Sequence, residues 1–508
     1  MLNRCIIFFL LIFSAVDFHG QVMWERTYGT NGKETASAII STKEPGYLIA
    51  GNTNSFLKLT QAYLIKIDEL GSIEWSKTYG GASVEDAKDI VQLPDSGYIL
   101  AGLTNSFGKM YQGYVARVDK EGELLWQKNY GGDDWDIFNR LVLLPDTSVV
   151  IVGETYSYGE GNKDGYILRI DKNGDTLWTK TFGGGENDVF NDVLINTANE
   201  LVVVGSLTDT ATDYKEALVV WFSLTGDLIR DTTFGGSLND EFYSILEVDN
   251  GDFIAVGGSE DFPNDYAGWM VRINNQGELL GQVYQPNFSA NSSGDQLVKA
   301  VAKYENLDYF AAGLQQIQTP GFPSFIKTSR FYETNGGTLN YSNIGSNIQK
   351  VISSGNIFVA DADTCKDGGY IYCMYSDGQI GPFAIGNEKI YVIKVDSLNN
   401  TVCSDQDANC VNETYDFSSD LVSVEDNNKS VNLKVFPNPT SVGLVTITSN
   451  EGVNAYKIMD LTGRIVISVD EISSREITIE TKGLKPATYL VVIKLNNYTI
   501  TKRLIVGN

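Results

Sequence analysis

Apolar and polar residues alternate with a period of two along most of the chain, in short runs cut by Gly, Asp, Asn and Pro. In one stretch AKDIVQL reads as a strand, PDSG as a tight turn and YILAGLT as a second strand. A looser loop follows, then GYVARVD as a third strand, KEG as a turn and ELLWQKNYG as a fourth. β-Branched and aromatic residues are enriched in these runs, and no stretch sustains a helical period.

The four-strand unit recurs. WERTYGT starts at Trp24, WSKTYGG at Trp75, WQKNYGG at Trp126 and WTKTFGG at Trp178, at spacings of 51, 51 and 52 residues. RDTTFGG from Arg230 and the degenerate GQVYQPN from Gly281 continue the series. Four strands in roughly 50 residues make a β-propeller blade rather than a turn of helical solenoid. The first three strands recur in segments beginning near Ala36, Ala87, Ile137, Val189, Glu241, Leu297 and Ile357. Six units carry their own fourth strand. The N-terminal VMWERTYG would supply the seventh, completing the last blade without an open edge. The expected fold is all-β: a seven-bladed β-propeller over 21–403, with six or eight blades left open by the degenerate later units.

The two ends differ from this body. Residues 1–20 read as a secretory signal peptide, with Arg4 ahead of the apolar run CIIFFLLIF, too short to span a bilayer. No later run is long and apolar enough for a transmembrane segment. Residues 404–432 are acidic and polar, and read as a linker. Over 433–508 come short alternating strands with Gly and Asn turns, enough for one small β-sandwich. In order and spacing VFPNPT, MDLTGRIV, GLKPATYLVVIK and the terminal KRLIV resemble the C-terminal sorting domain of type IX secretion substrates. The departure is KPATY, where Gly commonly precedes the Tyr. The resemblance implies recognition by the type IX secretion machinery and passage through the outer membrane. Cleavage of the domain would then be followed by release or attachment to the cell surface. The Trp/Gly-Gly units also resemble repeats common in large exported proteins of this type, which implies no activity.

Charge and rare residues narrow the chemistry. Lys+Arg number 38 against Asp+Glu 64, a formal net charge of -26, which repels nucleic acid. The only histidine, His19, lies in the leader. A mature chain without histidine has no Ser–His–Asp or Cys–His nucleophile and no histidine metal ligand. Cys5 also falls in the leader, leaving Cys365, Cys373, Cys403 and Cys410. In an exported protein these read as two disulfides, expected locally as 365–373 and 403–410.

Propeller geometry places the loops joining fourth to first strand, and second to third, on one face. Those loops are longer and more varied than the opposite turns. They present Phe56, Phe107, Tyr111, Tyr156, Tyr158, Tyr214, Phe262 and Tyr266 beside Asn, Asp and Ser, a surface suited to a glycan or protein ligand. Asp86, Asp136, Asp188 and Asp240 follow the Gly-Gly turns at the channel mouth. They are expected to fix those turns through backbone N–H bonds, with calcium binding or paired-carboxylate catalysis as the sharper alternatives. Lys66, Arg117, Arg169, Arg272, Lys327 and Lys394 share one place on the third strand. Structural ion pairs with Asp68, Asp119, Asp171 and Asp396 are expected, with Asn274 as the amide at the same step. Asp361, Asp363 and Asp367 in DADTCKDGG have the spacing of a calcium loop without its terminal Glu, so a solvated turn is the alternative. The sequence thus points to a monomeric, non-catalytic binding module without a required cofactor. A carbohydrate-active hydrolase or lyase and a structural surface component are its rivals.

Overall fold

The computed structural model describes residues 23–285 apart from short loop segments, the strands between 296 and 343, most of 357–376 and 388–395, strand 413–416, and the strands of 434–506. Every regular element among the described residues is a strand. Six antiparallel four-stranded sheets follow one another in chain order, and a seventh sheet closes the series. We number these blades 1 to 7 and their strands a to d outward from the channel. The a strands are Glu34–Ser41, Glu85–Gln92, Asp136–Leu143, Val189–Ile195, Asp240–Glu247, Gln296–Tyr304 and Ile357–Thr364.

Burial follows position in the blade. Strands b and c sit between neighbouring blades and are buried on both faces, as in Tyr98–Thr104 and Gln112–Val118. Strand d is the outer edge, and Thr176–Phe182 is mostly exposed. Blade 7 takes its d strand from the other end of the chain. Trp24–Gly29 pairs antiparallel with Lys389–Val395, Trp24 opposite Lys394. Within the segment read as linker, Glu413–Asp416 adds a fifth strand parallel to Trp24–Gly29.

The repeated W-x-x-x-Y-G has a mechanical reason. In a strand, Trp and Tyr four residues apart point to the same face. That face meets the c–d turn of the next blade. Tyr28 Oη donates to the Gly71 carbonyl at 2.8 Å, Tyr79 Oη to Gly122 at 2.8 Å, and Tyr130 Oη to Gly174 at 2.7 Å. The Trp ring lies over the same glycine: a Cβ on Gly122 would stand 2.8 Å from Trp75. Gly122 also has φ 77°, the left-handed conformation that the turn needs. Blade 4 carries Arg230 where blades 1, 2, 3 and 7 carry Trp. Its guanidinium stacks on Trp221 of strand c, 4.5 Å from the ring centre, and Trp221 fills the space beside Gly277 of blade 5.

One ion cluster ties the a strands of four blades together. Each a strand has a bulge at the same step, between Phe138 and Arg140 in blade 3 and between Ala87 and Asp89 in blade 2. Arg140 reaches Asp89 of blade 2 at 3.3 Å, Asp192 of blade 4 at 3.5 Å and Asp361 of blade 7 at 3.2 Å. The same aspartates staple each blade to the next. Asp89 accepts Leu141 N at 2.8 Å, Asp192 accepts Ile245 N at 3.0 Å, and Asp361 accepts Ile39 N at 3.2 Å. Burial lowers the pKa of Arg140, but Asp361, Asp89 and Asp192 outweigh it and hold the guanidinium charged. Burial pushes Asp89 up to about 6 against the pull of Arg140, and pushes Asp192 upward as well.

The C-terminal unit is one six-stranded sheet folded around its own core. The long strand Leu444–Asp460 pairs with Lys434–Phe436 and Ser474–Glu480 along its first half, and with Ile465–Val469 and Ala487–Leu495 along its second. Val445, Ile447, Val453, Ile458, Tyr489, Val491 and Leu504 are among its buried residues. Tyr489 of KPATY is buried, and its hydroxyl donates to the Lys485 carbonyl at 2.9 Å.

Two expectations are corrected by this geometry. The bridge 365–373 is not formed: Cys365 and Cys373 are both buried free thiols. Cys365 N bonds Gly369 O to close the turn, whereas Cys373 pairs with Asp361 four steps along the strand. At roughly 3.3 Å per residue that separation is about 13 Å, well beyond disulfide reach. The third-strand cations find carboxylates other than those expected. Arg117 binds Asp95, Arg169 binds Asp146 and Arg272 binds Asp252, each at the a–b turn of the same blade, while Lys66 binds Glu74. Asp68, Asp119, Asp171 and Asn274 instead accept backbone N–H groups of the c–d turn.

Two measurements follow. Tyr79→Phe should cost about 1–2 kcal/mol in urea unfolding for the lost buried hydrogen bond, and Gly122→Ala should cost more through its φ and the Trp75 ring. Stability equal to wild type in both would remove the clamp from the account. The raised pKa of Asp89 means that the folded state holds its proton more tightly than the unfolded state does. Its contribution to stability is therefore full below the unfolded value of about 4 and lost as pH rises to about 6. Asp89→Asn should flatten the change in Tm between pH 4 and pH 6. An unchanged pH profile would show that Asp89 titrates normally.

Candidate functional site

A carboxylate begins each of the first three a strands and ties it to the end of strand b. Glu34 accepts from Thr53 Oγ1 at 3.3 Å and from Ser55 Oγ. Glu85 accepts from Thr104 Oγ1 at 2.8 Å and from Ser106 Oγ. Asp136 accepts from Ser157 Oγ at 2.8 Å and from Thr155 Oγ1, and also takes Gly132 N at 2.8 Å. Asp188 accepts Gly184 N at 2.6 Å and Thr208 N at 2.8 Å, and Asp240 accepts Gly236 N at 2.9 Å. Burial raises the pKa of Asp136 and Asp188 despite these bonds. Asp86 is not part of this set. The equivalent residue in blade 2 is Glu85, four residues after Gly81, and Asp86 instead accepts from Asn52 Nδ2 at 2.9 Å and pairs with Lys88 at 2.6 Å. The signal for Glu34 and Glu85 was a T-x-S at the end of strand b, 19 and 21 residues after each acid.

The carboxylates of DADTCKDGG diverge. Asp361 turns into the channel toward Arg140, Asp363 accepts Ser41 N at 2.6 Å, and Asp367 pairs with Lys394. Three different partners on three elements hold them apart. Among the described residues no group of three His, Cys, Asp or Glu is placed to hold a metal ion.

On the long-loop face the aromatics fall into two kinds. Phe107 and Tyr158 occupy equivalent places after T-x-S and lie on Tyr114 and Tyr166 of their own blades, with ring centres 6.5 and 5.9 Å apart. Both keep nearly half of their surface exposed, and Tyr158 Oη donates to the Gly131 carbonyl at 2.8 Å. Tyr111 and Tyr156 belong to a row that sequence reasoning missed. Trp135, from the loop entering blade 3, stands between them, 5.1 Å from Tyr111 and 6.4 Å from Tyr156, edge-on to both. Trp135 is 40% exposed and Tyr156 41%. The backbone holds the row in place: Asp136 N donates to Tyr111 O at 2.9 Å and Tyr156 N to Trp135 O at 2.7 Å. Asp134 N donates to Ser157 Oγ at 3.0 Å, locking the loop from below. The available signal was the departure from the repeat, since Val84, Asn187 and Asn239 occupy the place of Trp135 in blades 2, 4 and 5.

Tyr214 is exposed at the end of the b–c loop of blade 4, which Asp209 closes. Phe56, Phe262 and Tyr266 lie outside the described residues, as do Cys403, Cys410 and the leader.

Inside the ring of a strands a cavity of about 440 Å³ is lined by Ser37, Lys88, Asn139, Arg140, Asn191, Tyr243, Phe358 and Tyr375. Its residues come from the early steps of the a strands and the end of one b strand, so it opens toward the long-loop face. Arg140, held by its three aspartates, is the guanidinium in the lining.

Comparison with known proteins bears on the two parts of the chain differently. No curated protein matches it. The WD40 domain of Neurospora crassa Pan2 is similar in structure at TM-score 0.42 and 9% identity, over 71% of this chain and 88% of that one. Sqt1 from Chaetomium thermophilum is similar at TM-score 0.43 and 10% identity, over 71% and 86%. The propeller assignment itself rests on strand order and ring closure. No helix among the described residues is long and apolar enough to cross a membrane. Residues 434–507 match the family model of the secretion system C-terminal sorting domain. The chain therefore carries a type IX secretion sorting domain behind its propeller, and is a secreted or outer cell-surface protein.

Proposed function

We propose that the propeller, residues 21–403, is a non-catalytic binding module that holds a glycan or protein ligand on its long-loop face after export. The observation that carries this reading is the row Tyr111–Trp135–Tyr156, two exposed rings and one half-buried ring from three loops fixed by backbone hydrogen bonds. Large rigid aromatics with polar neighbours give contact area at low cost in side-chain entropy, which suits recognition of sugar C–H faces and of extended peptides. Asp133 and Asp134 adjoin the row, so a neutral or basic ligand is favoured over an anionic one. The carboxylates at the mouth of the channel and around Arg140 are held by hydroxyl, guanidinium or backbone N–H donors. That commitment supports binding over paired-carboxylate hydrolysis, which needs one acid free to give up a proton.

A glycan and protein panel titrated against the full chain should yield a saturable ligand whose Kd rises at least tenfold in Trp135→Ala, with Tm within a few degrees of wild type. Tyr214→Ala, outside the row, should leave Kd unchanged. Absence of any saturable ligand, or turnover of a glycan abolished by Asp136→Asn alone, would overturn the reading.

A further inference from the structure

We propose that the central funnel is a second ligand site, and that it takes a single neutral sugar residue. The funnel is built by the a-strand bulges. Each bulge leaves one residue out of the ladder, and these residues project into the channel. They are Ser37, Lys88, Asn139, Asn191, Tyr243 and Ala360 in the blades whose side chains are described. Elsewhere the blades repeat one residue type at one task, as with the acid that begins strand a or the tyrosine that clamps the next turn. At the bulge only Asn139 and Asn191 repeat, and Ser37, Lys88, Tyr243 and Ala360 differ from them and from one another. A purely architectural position needs no such variety, whereas a pocket wall that recognises an asymmetric molecule does.

The chemistry of the wall selects the ligand class. Asn139 Nδ2 donates to the Phe190 carbonyl at 2.9 Å, and Asn191 Nδ2 donates to the Phe242 carbonyl at 2.8 Å. Those bonds fix both amides and leave each Oδ1 as the remaining acceptor at the wall. Phe358 and Tyr375, stacked with centres 4.9 Å apart, supply an apolar side. The charged groups in the lining are Lys88 and Arg140, and both are already matched. Lys88 pairs with Asp86 at 2.6 Å, and Arg140 with its three aspartates. A cation would meet two positive groups, and an anion would have to displace carboxylates that hold them. Fixed acceptors opposite an aromatic wall, without uncompensated charge, suit a hydroxyl-rich neutral ring. The volume lies at the small end of the range for small-molecule sites, about 300–1,000 Å³.

The inference deepens the binding reading by naming a ligand class for the same face, but it does not depend on the aromatic row. The full chain should be titrated with D-glucose, D-galactose, D-mannose and N-acetyl-D-glucosamine by saturation-transfer NMR, with lysine amide and glucuronate as charged controls. One neutral sugar should saturate in about the millimolar range. Asn191→Ala should weaken it at least tenfold. Ser37→Tyr, which fills the funnel without removing an inter-blade bond, should abolish it while preserving the melting transition. Trp135→Ala should leave it unchanged, so failure of the row and failure of the funnel are separable. Saturation by neither sugar nor control, by a charged control alone, or by a sugar still bound in Ser37→Tyr would overturn the proposal.

Discussion

A ring of sheets keeps two uncovered ends until it closes, and here closure depends on one antiparallel pairing between the two ends of the propeller. Trp24–Gly29 supplies the outer strand of blade 7, and its Trp24 and Tyr28 then cover the turn at Gly71 of blade 1. The same short segment therefore finishes one sheet and packs it against the next. Without it, blade 7 would present an open edge and blade 1 an uncovered turn. Glu413–Asp416 lies along the far side of that strand, so the closing segment is paired on both edges. At the channel the ring is tied a second time by Arg140, whose three carboxylate partners come from blades on opposite sides.

Within this frame stability and recognition occupy different positions. The clamp of Trp and Tyr on a left-handed glycine, the acid held by T-x-S and the cation bound at the a–b turn each recur from blade to blade with small changes. Recurrence marks what every blade needs to pack. The residues that break the repeat sit where a ligand would approach: Trp135 at a loop that elsewhere carries Val84 or Asn187, and the mixed bulge residues of the funnel. A repeat protein can vary such positions at little cost, since the strands on either side are already buried by their neighbours.

Much of this was legible in the chain. Period-two alternation, the spacing of the Trp motifs and the missing fourth strand of the last unit were enough for seven blades and for closure by the N-terminal strand. The C-terminal motifs were enough for the sorting domain. What escaped depended on distances across blades. Asp89 and Asp192 lie in runs that read as ordinary half-buried strands and Asp361 in one that read as a calcium loop or solvated turn, and only the ring brings them to Arg140. Asp86 was taken for Glu85 because a one-residue slip reverses the face of a side chain in a strand. The thiols of Cys365 and Cys373 looked like a local bridge because proximity along a hairpin was mistaken for opposition across it. Trp135 lay in plain view but among loops expected to vary.

The pairing of Trp24 with Lys394 also sets a clock. These partners stand about 370 positions apart, so the closing contact is among the most distant along the chain, and folding dominated by such contacts is slow. Through that interval the blades can pair locally while the ring stays open. The sorting domain, with its own core, has no need to wait for it. A protein addressed by its sorting domain and sealed by the strand Trp24–Gly29 thus has its destination encoded in a unit with its own core, and its finished shape in a pairing that spans the propeller.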